Sequence, residues 1–272
     1  MKLDPTKMNI APLVGFNNLD PAQYSSYDAL TCEEVIFQFR TTREAAEALL
    51  PEPFKVPEVP IVTVCFSYFA DMAFLNGSEY AISGVYVHGR FDGEEHHVDG
   101  YFAAVLPENN NTCILSGRDI GGNAKFHFDI ARPTVWTDGT VIAEVKTQDG
   151  ALYFGVQLNG GFDQLKKVEG KEKEEISAIL NSNELFALKV IMNNDDGSLD
   201  INAPIAIRGV RTLDKCWVGK TGRLEWGLPR KKFAIEHSSA KYLEENLPVE
   251  EIIATVHWTG KLDWVTGSYT LK

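Results

Sequence analysis

Cysteine is scarce and scattered. Cys32, Cys65, Cys113 and Cys216 are the four in 272 residues, with no Cys-x-x-Cys pair among them. That spacing argues against a zinc site, and in a chain without an export signal it argues against a disulfide framework. The four read as buried thiols. Long apolar runs are missing too, and nothing approaches the roughly 18 to 20 apolar residues of a membrane span. The opening "MKLDPTKMNIAPLVGFNNLD" is interrupted by prolines and lacks the roughly 7–15-residue apolar core of a signal peptide. The expectation is a cytoplasmic protein with no membrane partner. Positive charge is in deficit, with 26 Lys and Arg against 38 Asp and Glu for a net charge of −12. Without a basic, aromatic-interleaved patch, nucleic acid and anionic surfaces are poor partners.

What is present is ample core material, 44% hydrophobic with 24% charged, which is ordinary for a globular chain. Many segments alternate with period two and are rich in β-branched and aromatic residues. "EEVIFQFR", "IVTVCFSYFA", "AKFHFDIA", "TVIAEVKT", "ALYFGVQL", "FALKVIM" and "ATVHWTGKLDW" read as strands. Turn signals separate them: Asp92-Gly93, Pro107 to Asn111, Asp138-Gly139, Asp149-Gly150, Asn159 to Gly161 and Asp196-Gly197. "TTREAAEALLP" combines threonine caps, helical spacing and a proline stop, so it predicts a short helix, and "SAKYLEENLP" predicts a second. The charge-dense "KKVEGKEKEEISA" reads as a solvated loop or helix face. No repeat, linker or composition break interrupts the strands after about residue 33. The expectation is one mainly β (α+β) domain over residues 1–272, largely antiparallel, with residues 1–27 as an N-terminal extension.

One stretch carries chemistry. In "LSGRDIGGNAKFHFDI" a lysine, Lys125, follows two adjacent glycines and opens an alternating aromatic run. On a strand, Lys125, His127 and Asp129 share one face. A free lysine, with a pKa near ~10.4, is protonated at neutral pH and cannot attack a carbonyl. Desolvation or a nearby cation destabilises the ammonium, and the neutral amine then condenses with a ketone or aldehyde to a Schiff base that serves as an electron sink. Phe126 and Phe128 offer desolvation, and Gly121 and Gly122 allow close backbone approach. Read from the residues alone, a lysine on a half-buried strand usually points outward, and spacing by itself does not make Lys125 a catalyst.

"GRDIGGNAK" resembles the lysine motif of the acetoacetate decarboxylases: Gly-Arg-Glu, five residues, then the Schiff-base lysine. Gly117, Arg118 and Asp119 match the triplet and Lys125 falls at the nucleophile. "FRTTREAAEALLPEPF", "YAISG" with "GRFDG", "FALKVIMNNDDGS" and "LPVEEIIATVHWTG" resemble further family segments in consistent order, over roughly residues 28 to 265. The resemblance implies a large β-barrel-like fold with a few short helices, a homo-oligomer, a small keto or aldehyde substrate, and neither cofactor nor metal. It also exposes departures. The family's second lysine, which activates the nucleophile, is Phe126 here; acetoacetate decarboxylase is itself the standing example of a lysine activated by a neighbouring cation. A family glutamate falls at Ile82, a carboxylate-binding arginine at Cys32 and another pocket glutamate at Cys65. Cysteine for arginine removes a bidentate clamp, and isoleucine for glutamate removes an acid–base group.

The candidate catalytic residues are therefore Lys125, His127 and His88, with Cys32, Cys65, Tyr80, Ile82, Tyr86, Arg118 and Gly122 lining the pocket. Tyr86 and His88 share a strand face and are candidates for the lost proton transfer. "EEHHVD" (Glu94 to Asp99) has metal-capable side chains, but neighbouring histidines on a strand diverge, and an exposed loop is the better reading. "GGNAK" is not a phosphate loop, and no nucleophile elbow occurs. The functional expectation is a lysine-dependent lyase breaking or making a C–C or C–O bond (decarboxylase, aldolase or dehydratase type), suited to secondary metabolism. The alternatives are a non-imine cyclase, isomerase or hydrolase on the same fold, or a non-catalytic binding protein.

Overall fold

The computed structural model describes residues 30–72, 75, 77–119, 121–159, 165–193, 195–196, 198–227, 235–264 and 269–272; the expected extension over 1–27 lies outside them. Among the described residues, sixteen strands form two sheets. In the large sheet, β1 (Leu30–Arg40) lies between β2 (Ile61–Met72) and β15 (Glu251–Trp264), antiparallel to both. The sheet continues through β3 (Ser78–Asp92) and β4 (His97–Glu108) to β11 (Glu184–Met192), β12 (Leu199–Ile207) and β16 (Tyr269–Thr270). On the other side it runs to β13 (Gly209–Gly219) and β10 (Lys166–Val168). The small sheet orders β14 (Gly222–Trp226), β9 (Leu152–Leu158), β8 (Val141–Lys146) and β6 (Asp129–Ile130), with β7 (Thr134–Val135) beside β8. The large sheet stays open among the described residues, so the architecture is mainly β and barrel-like.

Alternation along β1 divides the interior. Val35, Phe37 and Phe39 face the small sheet and, with Phe66, Phe128, Tyr153, Phe154 and Val156, build an apolar core between the two sheets. Each such side chain contributes about 1.5–3 kcal/mol on full burial. Cys32 and Ile36 face the other way, into a second cluster with Cys65, Phe69, Tyr80, Tyr86, Leu106, Cys113 and Trp258. The predicted first helix is α1 (Arg43–Leu49), whose start Thr42 caps by accepting from Ala45 N at 3.2 Å. A second helix, α2 (Asn111–Asp119), follows β4 directly. The charge run folds as β10 and then α3 (Gly170–Leu180), which buries no residue fully but leans Ile176 and Leu180 on the second cluster. The second predicted helix is α4 (Ile235–Asn246).

Three expectations need correction. The strand around Lys125 is short: β5 (Lys125–His127) pairs in parallel with β4, and Asp129 belongs to β6 in the other sheet, exposed. Asp129 therefore does not share a face with Lys125. The parallel pairing arises because α2 carries the chain back between β4 and β5, the crossover a parallel pair requires. "EEHHVD" is loop only at its start, since His97 opens β4 of the β3–β4 hairpin. The residues from Pro107 to Asn111 are not a free turn: Pro107 and Glu108 end β4, and Asn110 Oδ1 accepts from Thr112 N and Cys113 N at the start of α2.

Candidate active site

The second cluster is not a plain core. Its sheet face carries a run of buried polar groups from β1, β2, β3, β4 and β13, ending under α2 at Lys125. In the β4–β5 register Lys125 stands opposite Leu106 and His127 opposite Glu108, which puts all four side chains on one face. The Lys125 ammonium reaches Glu108 Oε1 at 2.5 Å. Its side chain is 13% exposed, and that of Glu108 is fully enclosed. Lys125 Nζ also donates weakly to the Cys113 carbonyl of α2 at 3.5 Å. The Tyr80 hydroxyl is the other polar group directed at the Glu108 carboxylate. Beyond these two neighbours the Glu108 oxygens have no hydrogen-bond partner among the described residues. Burial pushes the Glu108 carboxyl above its usual range, although Lys125 and Tyr80 oppose the shift. Burial likewise raises the Tyr80 phenol well above its ordinary value and the Cys113 thiol to about 12, in both cases reinforced by Glu108.

The motif residues around Lys125 position it. A Cβ on Gly117 would lie 2.5 Å from Lys125 Nζ, so any larger residue there would make the amine shift from its place beneath α2. Gly122 adopts φ +66°, and a Cβ there would meet the Lys189 backbone of β11 at 2.7 Å. Glycine is required on both counts. Arg118 is exposed and donates from Nη1 to the Lys125 carbonyl at 2.8 Å. It clasps the strand start from outside and does not line a pocket.

A second ion pair lies farther along the same face. Arg211 Nε donates to Glu34 Oε2 at 2.8 Å, with side chains 13% and 2% exposed. Ser67 Oγ donates to Glu34 Oε1 at 2.7 Å and Trp258 Nε1 to Oε2 at 3.0 Å. Arg211 Nη1 donates to the Leu180 carbonyl at the C-terminal end of α3, at 3.1 Å, where a cation is favoured. Asn181 holds the Arg211 backbone at both N–H (2.8 Å) and carbonyl (3.0 Å). Burial opposes charge on Arg211, yet Glu34 and Tyr101 hold its pKa well above the ordinary value.

The expected pocket residues lie between or beside these pairs. Cys32 and Cys65 are buried in the second cluster, their thiols pushed up by burial and then by Glu34. Tyr86 packs edge-on against Tyr101 at 5.7 Å and over Gly84, where any Cβ would collide with its ring. Burial raises its phenol well above the usual value, and Cys65, Glu34 and Glu108 all add to that shift, so Tyr86 stands between the two pairs. Ile82 is paired across the sheet with Glu108. His88 is elsewhere: its Nε2 meets Thr63 Oγ1 at 2.9 Å, Gln38 donates to the same oxygen, and burial lowers its pKa to about 4. It touches neither ion pair. His127 flanks Glu108, and its buried Nδ1 has no hydrogen-bond partner among the described residues.

A model of the acetoacetate decarboxylase family matches residues 15–272. The chain belongs to the acetoacetate decarboxylase family. It is 25% identical over 243 residues to "Acetoacetate decarboxylase 3" of Mesorhizobium japonicum, covering 89% of this chain and 82% of that one. It is 25% identical over 254 residues to "Acetoacetate decarboxylase 1" of Bradyrhizobium diazoefficiens, covering 91% and 87%. Among solved structures, acetoacetate decarboxylase from Legionella pneumophila superposes with a TM-score of 0.69 at 20% identity, over 100% of this chain and 97% of that one. The enduracididine biosynthesis enzyme MppR, solved with pyruvate, superposes with a TM-score of 0.64 at 12% identity, over 90% of each.

Membership makes the geometry at Phe126 informative. Phe126 points to the opposite face of β5, edge-on to Phe128 at 5.1 Å and Tyr153 at 6.0 Å, within the core between the sheets. Neither Phe126 nor Phe128 desolvates Lys125, contrary to the sequence expectation; α2 and the β3 and β4 side chains enclose it instead. Glu108, Glu34, Arg211 and Tyr101 were missed. Glu34 was detectable, since it alternates with Cys32 and Ile36 as a charge on an apolar face. Glu108 stood inside an apparent turn cluster, and Arg211 had no local signal.

Proposed function

We propose that this protein is a lysine-dependent lyase in which Lys125 forms a Schiff base with a small keto or aldehyde substrate. The single observation that supports this most is the enclosure of the Lys125 amine at a polar cluster beneath α2, where Gly117 leaves the amine room. The iminium draws electrons from the adjacent carbon, so a C–C or C–O bond there breaks or forms through an enamine. Both cations of the cluster are already paired, Lys125 with Glu108 and Arg211 with Glu34. That favours aldol or dehydration chemistry on a weakly charged carbonyl compound over decarboxylation. MppR, captured with the condensation product of pyruvate and imidazole 4-carboxaldehyde, is a precedent for carbonyl condensation on this fold, and it suits a role in secondary metabolism.

The test is borohydride reduction with a panel of ketones and aldehydes, followed by peptide mass mapping. A reduced adduct on Lys125, absent from Lys125→Arg, is the expected result. Turnover of any substrate by Lys125→Arg rules the imine out, because a guanidinium cannot form one.

We also infer a cytoplasmic homo-oligomer of a single domain over residues 1–272, with 1–27 as an extension. Exposed Val190, Ile191, Leu199 and Ile201 on the β11–β12 hairpin favour self-association. A monomer in light scattering at micromolar concentration would count against it.

A further inference from the structure

The Schiff-base reading names a nucleophile but no group to move protons, since the family glutamate position is Ile82 and neither His88 nor His127 contacts the amine. We propose that Glu108 is the general acid–base partner of Lys125, exchanging one proton with it through each imine cycle. This rests on the imine reading above.

A buried ammonium cannot shed its proton to bulk water without leaving an unpaired carboxylate, a state costing several kcal/mol. Transfer within the pair avoids that cost, because the neutral amine and neutral acid carry the same net charge as the ions. The 2.5 Å contact is within range for direct transfer. Among the described residues the carboxylate has few competing donors to hold its charge, only Tyr80 besides the ammonium.

The cycle balances. Glu108 takes one proton from the ammonium. The amine lone pair forms the C–N bond, the carbonyl π pair moves to oxygen, and a nitrogen proton passes to that oxygen, giving a neutral carbinolamine. Glu108 then protonates the hydroxyl, the C–O bond breaks with release of water, and nitrogen's lone pair closes the iminium. Glu108 is left as a carboxylate facing the new cation, so the buried charge is paired at both ends of the sequence. The other titratable groups facing the pair are Tyr80 and Tyr86 from β3, Cys113 from α2 and His127 from β5. The two phenols and the thiol are held in their neutral forms by burial.

The experiment follows acetylacetone, a 1,3-diketone whose enaminone with an amine absorbs in the near ultraviolet. Its rate of addition to Lys125 is measured against pH in the wild-type chain, Glu108→Gln and Glu108→Asp, with circular dichroism and melting curves as fold controls. The reactive form of the wild-type pair holds a single proton, so its rate profile is bell-shaped. Glu108→Gln is expected to react about 10²–10⁴-fold more slowly on the plateau, with a profile that only rises with pH. Glu108→Asp, which keeps the acid at a longer reach, is expected to restore part of the rate and the bell.

A Glu108 that is only a counter-ion gives the opposite sign: its removal frees the amine, and Glu108→Gln reacts as fast or faster. That outcome, in folded protein, overturns the proposal while leaving the imine intact. Absence of any wild-type adduct removes the imine reading and this proposal together. A Glu108→Gln chain that fails to fold passes the decision to Glu108→Asp, where an unchanged rate and profile overturn the proposal.

Discussion

Two buried ion pairs share one face of the large sheet, and they are built differently. Arg211–Glu34 is saturated: Ser67, Trp258 and the Leu180 carbonyl complete its hydrogen bonds, and Asn181 fixes its backbone. Among the described residues, Lys125–Glu108 has only Tyr80 and a long contact to the Cys113 carbonyl as hydrogen-bond partners. A guanidinium does not deprotonate in proteins, whereas an ammonium does. The first pair is a fastening between β1, β13 and α3. The second keeps its bonding capacity unspent, which is what the proposed proton exchange requires of it.

The comparison breaks most severely at Glu34. Glu34→Ala leaves Arg211 buried and unpaired and is expected to cost about 3–5 kcal/mol, measured by urea unfolding. A loss no greater than that of an exposed pair would mean the two sites are alike. Gly117→Ala acts on the other pair. It pushes the amine off its track and is expected to slow adduct formation by about 10²-fold with a smaller effect on stability. A rate equal to wild type would show that the passage beneath α2 does not set the lysine's position.

The smallest expected effect lies at His88, on the same face but bound to neither pair. Its folded pKa is about 4 against 6.5 for the free side chain. Between those values the unfolded chain binds the extra proton, so stability is lost as pH falls from 6.5 towards 4. His88→Gln is expected to remove roughly 1–2 kcal/mol of that acid sensitivity, discounted from the shift because the ring is partly exposed. Urea midpoints at about pH 7 and about pH 4.5 read it directly, and parallel lines for the two proteins would exclude a buried neutral histidine.

Much of the fold was legible because period-two alternation is a local signal: β1, β2, β8, β9, β11 and β15 all lie where the patterns placed them. The segment from Glu94 to His127 was the least legible. Its strands, helix and parallel pairing depend on how α2 returns the chain to β4, which no local pattern encodes. Lys125 itself was visible through its motif, Gly122 as a glycine that allows close backbone approach, and Gly117 only as a member of the motif. Their reasons are tertiary, the passage of an amine and the approach of the Lys189 backbone. Glu108 was hidden because Pro-Glu-Asn-Asn-Asn reads as a turn. Phe126 was read wrongly as a neighbour of the amine, because β5 turns it to the other face.

The crossover through α2 has one more consequence. The lysine and the carboxylate sit at the two ends of a short, continuous segment, Glu108 to Lys125, with a helix as the spacer. Their alignment is a matter of phase. Adding or deleting one residue in that helix rotates the downstream chain by about 100° and points the lysine away from its acid, while a substitution on its outer surface leaves the phase untouched. A substitution on the exposed side of the helix is therefore expected to leave the Lys125–Glu108 contact in place, and a one-residue insertion in the helix to break it. The spacing between glutamate and lysine is thus as much a part of the site as the two side chains themselves.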